Sequence, residues 1–398
     1  MGDDTRPAGI YQPHTPQLQS SLYEIYREMR DHQPIYRDPR NKFYIATRYD
    51  DVASILQDAD TYSNAGVEES KLLMPMIVYM DGERHKSLRM LLSRVFTPKR
   101  VADLEPKIRA SAQRLLDESA KQSRCDFMRS FASQLPSIVI CDLIGIPDER
   151  REAFLSYTEA MIETGPESHP IEEPAAKIYA EFETLLAERG REPRDDLMSA
   201  LLAADVDGHG LSHRELLGFC FNLIIGGTDT TMNLIGSGAV ALAREPEQRR
   251  ALSEEPTKIP DAIEEMLRFE SPTQTLPRRP TRDVELHGVT IPADSRLLVW
   301  VTIPADSRLL VCYGAANHDE RAFEEPERFD FTVQRTRHLA FGLGTHHCLG
   351  TALARLEGRI AFEELLGRHP DYIVHDDGGW VTSRWARSHP SIEIELNP

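Results

Sequence analysis

A mainly α-helical fold with only small β-sheets is what this 398-residue sequence predicts. Three observations carry the prediction. Apolar residues recur at three- and four-residue spacings through 100–121, 149–163, 172–188, 212–244 and 351–367, the period of helices with one buried face. Strand-like runs are few and short: Phe43–Thr47, Arg296–Val301, Arg308–Val311 and Ser391–Leu396, each bounded by turn residues. Proline and acidic clusters near 164–174 and at 190–196 read as loops between helices rather than linkers, so a single domain spanning 1–398 is expected, opening with an irregular segment over 1–20.

Composition narrows the class of protein. A formal net charge of −18 argues against a phosphate-binding basic face, so nucleic acid is not an expected partner. Five scattered cysteines (Cys125, Cys141, Cys220, Cys312, Cys348) suit reduced thiols better than a disulfide framework. The first twenty residues lack the basic start and apolar stretch of a signal peptide, which sets the expectation of a cytoplasmic protein with no membrane anchor. The one long apolar run, Asn222–Ala243, carries Asp229. An aspartate at mid-bilayer costs on the order of 3 kcal/mol, so the run reads as a helix buried in a large core.

One internal repeat stands out. Residues 289–300 read VTIPADSRLLVW and residues 301–312 read VTIPADSRLLVC, identical at all but the last position. Two units of this length make no solenoid. A tandem duplication accommodated as an extra loop or hairpin is the expectation, because an insertion of even length leaves the facing of downstream strand residues unchanged.

The strongest chemical signal is Phe341-Gly-Leu-Gly-Thr-His-His-Cys-Leu-Gly350, followed by the helical run TALARLEGRIAFEELL. Glycines at 342, 344 and 350 permit tight turns beside a bulky planar group. Cys348 falls at a helix start, where the dipole and free N–H groups favour the thiolate that ligates iron. A buried inert cysteine, or a zinc ligand beside His346 and His347, would be the alternatives; zinc would need further converging ligands, and the sequence has no C-x-x-C or second His/Cys cluster.

A second constellation, Gly226-Gly-Thr-Asp-Thr-Thr231, interrupts the long helical run. Two glycines inside a helix cost roughly 1 kcal/mol each relative to alanine, and close approach of a flat ligand would offset that loss. A threonine hydroxyl bonded to the carbonyl one turn back can open the helix locally and hold water. Alone, the segment could equally be a packing contact. Two further patterns are weaker. Glu265-Met-Leu-Arg268 places two charges on one helix face, and His85 and Arg89 are spaced to point at a common anion.

Taken together, these motifs resemble the cytochrome P-450 family, whose haem-binding signature F-G-x-G-x-H-x-C-x-G is matched at every fixed position. The resemblance implies that family's single-domain fold, with haem b between the long central helix and the helix after the cysteine. It implies Cys348 as the iron's axial ligand and Phe341, Gly342, Gly350 and Ala354 as haem contacts. His85, Arg89, Arg278 and His346 would hold the propionates. Asp229 and Thr230 would be the acid–alcohol pair that delivers protons to bound dioxygen. Glu265, Arg268 and Arg328 would form a buried structural network. Substrate would lie against Leu73, Ile77, Asn222, Ile225, Gly226, Gln274 and Leu276, a mainly apolar wall.

The activity implied is a monooxygenase that inserts one oxygen atom from dioxygen into a hydrophobic small molecule. No flavin segment or iron–sulfur cysteine cluster is present, so electrons would come from NAD(P)H through a separate ferredoxin or flavodoxin and its reductase. Arg84, Lys86, Arg94, Lys99 and Arg100 would attract an acidic donor, or would simply be a solvated face. A haem-thiolate isomerase, dehydratase or peroxygenase, and a non-catalytic haem sensor, are the competing readings. The acid–alcohol pair weighs against both.

Overall fold

The computed structural model describes residues 9–12, 15–39, 43–66, 73–93, 96–162, 172–206, 208–293, 309–383 and 385–397. Its organising element is the central helix, His213–Arg244, about 48 Å long at the ordinary helical rise. Ser212 starts it with a reciprocal capping box: its hydroxyl accepts from the Glu215 N–H, and the Glu215 carboxylate accepts from the Ser212 N–H. Most of the helix beyond Leu216 is buried, which is why its sequence lacks a polar stripe.

Other helices pack around it. Gln134–Ile144, Asp148–Ile162 and Glu172–Arg191 cover one side, while Ile259–Phe269 and Thr351–Arg368, here called the cysteine helix, cover the other. Gly227 lets the central helix approach Gln134–Ile144, since a Cβ there would lie 2.8 Å from Ile140. One core cluster fills the space between the C-terminal half of the central helix and the cysteine helix, and a second lies against the N-terminal half.

The sheets are small. A five-stranded sheet runs in the order Ile35–Arg37, Tyr44–Ala46, Leu309–Cys312, Thr275–Pro280, Tyr62–Ser63. Leu309–Cys312 is its middle strand, parallel to Tyr44–Ala46 and antiparallel to Thr275–Pro280, with Leu309 opposite Arg278. Cys125–Asp126, Glu393–Glu395 and Ile373–Asp376 make a second, three-stranded sheet. None of the helices among the described residues is long and apolar enough to cross a membrane.

Several sequence expectations change in detail. The helix expected over 100–121 is two helices, Pro98–Asp103 and Glu105–Ser119, because Pro106 has no N–H to donate and fits only the first turn of a new helix. The opening segment is not wholly irregular: Thr15 caps a short helix, Pro16–Ser20, whose Leu18 and Gln19 are buried. The strand expected at Arg296–Val301 lies outside the described residues. Of the duplicated segment, the start of the first copy forms the strand Val289–Ile291, and the end of the second forms Leu309–Cys312. The fold therefore takes one end from each copy, and the intervening residues 294–308 lie outside the described set.

Candidate active site

Between the central helix and the cysteine helix lies a cavity of about 310 Å³. Residues far apart in sequence meet there: Ile77, His85 and Arg89; Asn222, Gly226 and Thr230; Leu276 and Arg278; Phe341, Gly342, His346, Cys348, Gly350 and Ala354.

The cysteine loop is built by its backbone. Gly342 and Gly344 adopt φ of +67° and +69°, the left-handed region that side chains resist. Gly350 has an ordinary φ of −83°. What it contributes is room: a Cβ there would lie 3.9 Å from the Cys348 sulfur. The Cys348 N–H donates to the Phe341 carbonyl at 2.9 Å, closing the loop. Cys348 is exposed, facing the cavity, whereas the other four cysteines are buried. Burial pushes its thiol up, against the hydrogen bonding at Gly350 and Thr351 and the charges of Arg89 and Arg355. A bound metal would favour the thiolate.

Across the cavity, the Thr230 hydroxyl donates to the Gly226 carbonyl at 2.7 Å, yet the central helix continues unbroken through this bond. Asp229, its neighbour, does not line the cavity. Its carboxyl is pushed well above the usual carboxylate range, first by burial and then by the charge of Glu159. Gly226 offers bare backbone to the cavity, with no atom nearer to a built Cβ than the Asn222 amide nitrogen at 3.8 Å.

A group of basic side chains surrounds the cysteine loop. Arg89 donates to the His347 carbonyl at 2.5 Å and Arg278 to the Pro277 carbonyl at 2.7 Å; neither guanidinium has a carboxylate partner among the described residues. The His85 and His346 rings lie 4.2 Å apart. Burial, followed by the charges of His346 and Arg89, pushes His85 down to about 4. His346 Nε2 sits 2.9 Å from Asp81 Oδ1. Asp81 is held well below the carboxylate range: burial alone would raise it, but hydrogen bonds from His346, Ser63 and Ala65 prevail. A buried guanidinium and a half-buried one, without carboxylate partners among the described residues and beside a sulfur in a glycine-walled turn, fit a planar metal-bearing group with acidic substituents.

Some expected residues stand elsewhere. Gln274 does not line the cavity; its amide is used by the Ser271 carbonyl at 2.8 Å and the Tyr26 hydroxyl at 3.1 Å. Leu73 and Ile225 pack against the second core cluster instead. Arg94 lies outside the described residues. Arg84 is engaged by Glu215 at 2.7 Å and Lys86 by Glu83 at 2.7 Å, so this part of the basic stretch is internally paired.

In the E-x-x-R network, Arg268 grips Glu265 through two 2.7 Å hydrogen bonds and donates to the carbonyls of Asn317, Pro326 and Arg328. Arg328 contributes only that carbonyl; its side chain turns to solvent, toward Glu325 and Asp330. The second guanidinium beside Glu265 belongs to Arg335, at 3.3 Å. No spacing rule would have found Arg335, because a loop rather than a helix delivers it. Glu357, also overlooked, is legible in hindsight. It sits on the apolar face of the cysteine helix between Leu356 and Ile360, lines the cavity, and burial raises its carboxyl well above the usual range.

This geometry, an exposed cysteine opposing a glycine–threonine helix face, suits a haem monooxygenase, and comparison with known proteins agrees. The family model described as "Cytochrome P450" matches residues 168–370. The polyketide biosynthesis cytochrome P450 PksS of Bacillus subtilis (strain 168) is 32% identical over 98% of this chain and 99% of its own. The steroid C26-monooxygenase of Mycobacterium tuberculosis (strain ATCC 25618 / H37Rv) is 36% identical, covering 88% of this chain and 87% of that one. Cytochrome P450 CYP109Q5 from Chondromyces apiculatus superposes with a TM-score of 0.86 at 36% identity, covering 97% of each chain. The chain belongs to the cytochrome P450 family and is a P450 monooxygenase. Membership implies haem bound through a cysteine thiolate.

Proposed function

We propose that Cys348 is the haem ligand and that the chain works as one haem-binding unit, hydroxylating a mainly hydrophobic small molecule. The observation that carries this reading is that Cys348 and Thr230 line opposite walls of one cavity. Haem, when bound, would supply dioxygen activation; the rest is the work of this chain's side chains. Arg89 and Arg278 would neutralise the propionates, and His85 and His346 would help orient them by hydrogen bonding. Phe341 would shield the sulfur, and Gly350 and Ala354 would leave space beside it.

Thr230 would hold a water at its hydroxyl oxygen, since its hydrogen already belongs to the Gly226 carbonyl. Asp229, largely buried and favouring its protonated form, would be the adjacent proton source. Ile77 and Leu276 would exclude water around the substrate. PksS bears a name from polyketide biosynthesis and the mycobacterial relative acts on a steroid, which supports a sizeable, mainly apolar substrate here. Electrons would come from NAD(P)H through a separate ferredoxin or flavodoxin and its reductase, in the cytoplasm.

The test is spectroscopic and catalytic. Haem-loaded protein should give the ferrous carbon-monoxide spectrum of thiolate ligation, and Cys348→Ser should abolish it. Thr230→Ala should keep that spectrum while diverting reducing equivalents from product to peroxide. An unchanged spectrum in the serine variant would overturn the assignment.

A further inference from the structure

Tyr313 opens the short helix Tyr313–Ala316, directly after the middle strand of the five-stranded sheet. It is 3% exposed and packs in a core cluster with Ala316 and Leu339, against Leu276 and Leu343, which fixes where its hydroxyl points. Buried phenols normally find an acceptor. Tyr26 donates to the Gln274 amide oxygen at 3.1 Å, and Tyr372 to the Ala239 carbonyl at 2.6 Å. Tyr313 has none: no described group accepts from its hydroxyl. Nor is that oxygen sealed, as the unpartnered Tyr36 oxygen is. It stands 3.9 Å from the position a Gly342 Cβ would take, and both residues line the cavity with Cys348.

Arg278 supplies the neighbouring charge. The strands Leu309–Cys312 and Thr275–Pro280 pair antiparallel, so Tyr313, next after the first, and Arg278, within the second, reach the cavity from neighbouring strands. Arg278 is 4% exposed, has no carboxylate partner among the described residues, and its charge acts on the Tyr313 hydroxyl. A guanidinium has only donors to offer, so it leaves the phenolic hydrogen free. Burial, against that charge, raises the hydroxyl above the usual phenol range, so the hydrogen stays on. A buried cation and a neutral donor at one opening suit a single carboxylate: the cation balances its charge, and the phenol fills a further lone pair without adding charge.

We propose that Tyr313 is a further cofactor-holding residue, whose phenolic hydrogen donates to the same haem propionate that Arg278 neutralises. The inference rests on the proposed function, because it takes the group in the cavity to be haem on Cys348. Tyr313 follows directly on the duplicated segment, so the end of the second copy also places a residue of the site.

The test uses the intact chain and Tyr313→Phe, which removes only the hydroxyl. Each is loaded with haem and, separately, with haem dimethyl ester, whose propionates carry no charge. Loss of the bound group to excess apomyoglobin is followed by absorbance. With haem, the variant should lose it about ten- to a hundredfold faster, the range of one hydrogen bond to a charged group. With the ester the factor should shrink to about threefold, the scale of a neutral acceptor. The propionate bending band in the resonance Raman spectrum should move in the haem-loaded variant, while the carbon-monoxide spectrum stays the same and checks folding. Equal loss rates with haem, an unmoved Raman band, or an acceleration as large with the ester as with haem would overturn the inference, the last by showing that the hydroxyl only supports packing. An intact protein without the carbon-monoxide spectrum of thiolate ligation would overturn the proposed function and this inference with it; a normal spectrum with equal loss rates would sink the inference alone.

Discussion

Excising one copy of the twelve-residue repeat can be done in two ways that differ by a single side chain. Removing 289–300 leaves Cys312 ahead of Tyr313; removing 301–312 leaves Trp300 there, and every other residue is the same. In the intact protein Cys312 ends the middle strand, is fully buried, and packs in a cluster with Tyr26, Met29, Ile45 and Ala315. Both deletions shorten the connection between the strands ending at Ile291 and starting at Leu309 by the same amount, which favours folding by about 1 kcal/mol through loop-closure entropy. Only one of them forces an indole into a slot filled by a thiol. Overpacking by a few methylenes costs about 1–3 kcal/mol, so an indole should cost at least about 3.

The 289–300 deletion should therefore fold and bind haem at least as well as the intact chain. The 301–312 deletion should be the weaker of the two by about 3 kcal/mol, roughly 3–6 °C in a chain of this size. Thermal unfolding of the two haem-loaded variants checks this, with a Trp300→Cys repair of the second deletion as the control. Equal melting points for the pair, or loss of haem binding by the 289–300 deletion, would refute the reasoning that each copy supplies one end of the fold.

The remaining predictions concern the site and its support. Gly226→Ala should stabilise haem-free protein by roughly 1 kcal/mol, since helix propensity rises and no steric clash opposes it, yet its methyl should hinder haem uptake. Gly227→Ala should instead destabilise through Ile140, and melting curves with and without haem separate the two. Arg268→Gln, which strands the buried Glu265, should cost about 3–5 kcal/mol in urea unfolding. Arg328→Gln should stay within about 0.5 kcal/mol, because its exposed side chain is outside the network.

Asp229 gives a pH dependence whose sign follows from its raised folded pKa. The folded state keeps a proton that the unfolded chain releases above about pH 4, so stability falls as pH rises from there toward the folded value, by at most about 1.4 kcal/mol per pH unit. Asp229→Asn should flatten that decline between about pH 5 and 8 in urea-unfolding series. Parallel curves for the two proteins would show that the carboxyl is not held protonated.

Local chemistry made much of this protein legible from its sequence. The helical periodicities, the Ser212 start of the central helix, the glycines at 342 and 344 and the cysteine motif are properties of short segments, and a short segment carries its own period and turn requirements. What the sequence left open was decided by packing across long separations. Pro106 split a helix in a way local rules already allow, but nothing local distinguishes Arg328 from Arg335 as Glu265's neighbour. Gln274 and Asn222 are both amides in candidate wall segments; one is consumed by Ser271 and Tyr26, while the buried oxygen of the other has no hydrogen-bond partner among the described residues.

The sequence by itself determined which residue types could carry the chemistry and in what order along the chain they come. Tertiary structure alone decided which of them share a cavity, which carboxyls lose their water and hold their protons, and which copy of a duplicated strand enters the sheet. The physical reason is that desolvation and close packing depend on neighbours hundreds of residues away, as Asp81 and His346 illustrate, while helix period, capping and turn geometry depend on neighbours within a few residues.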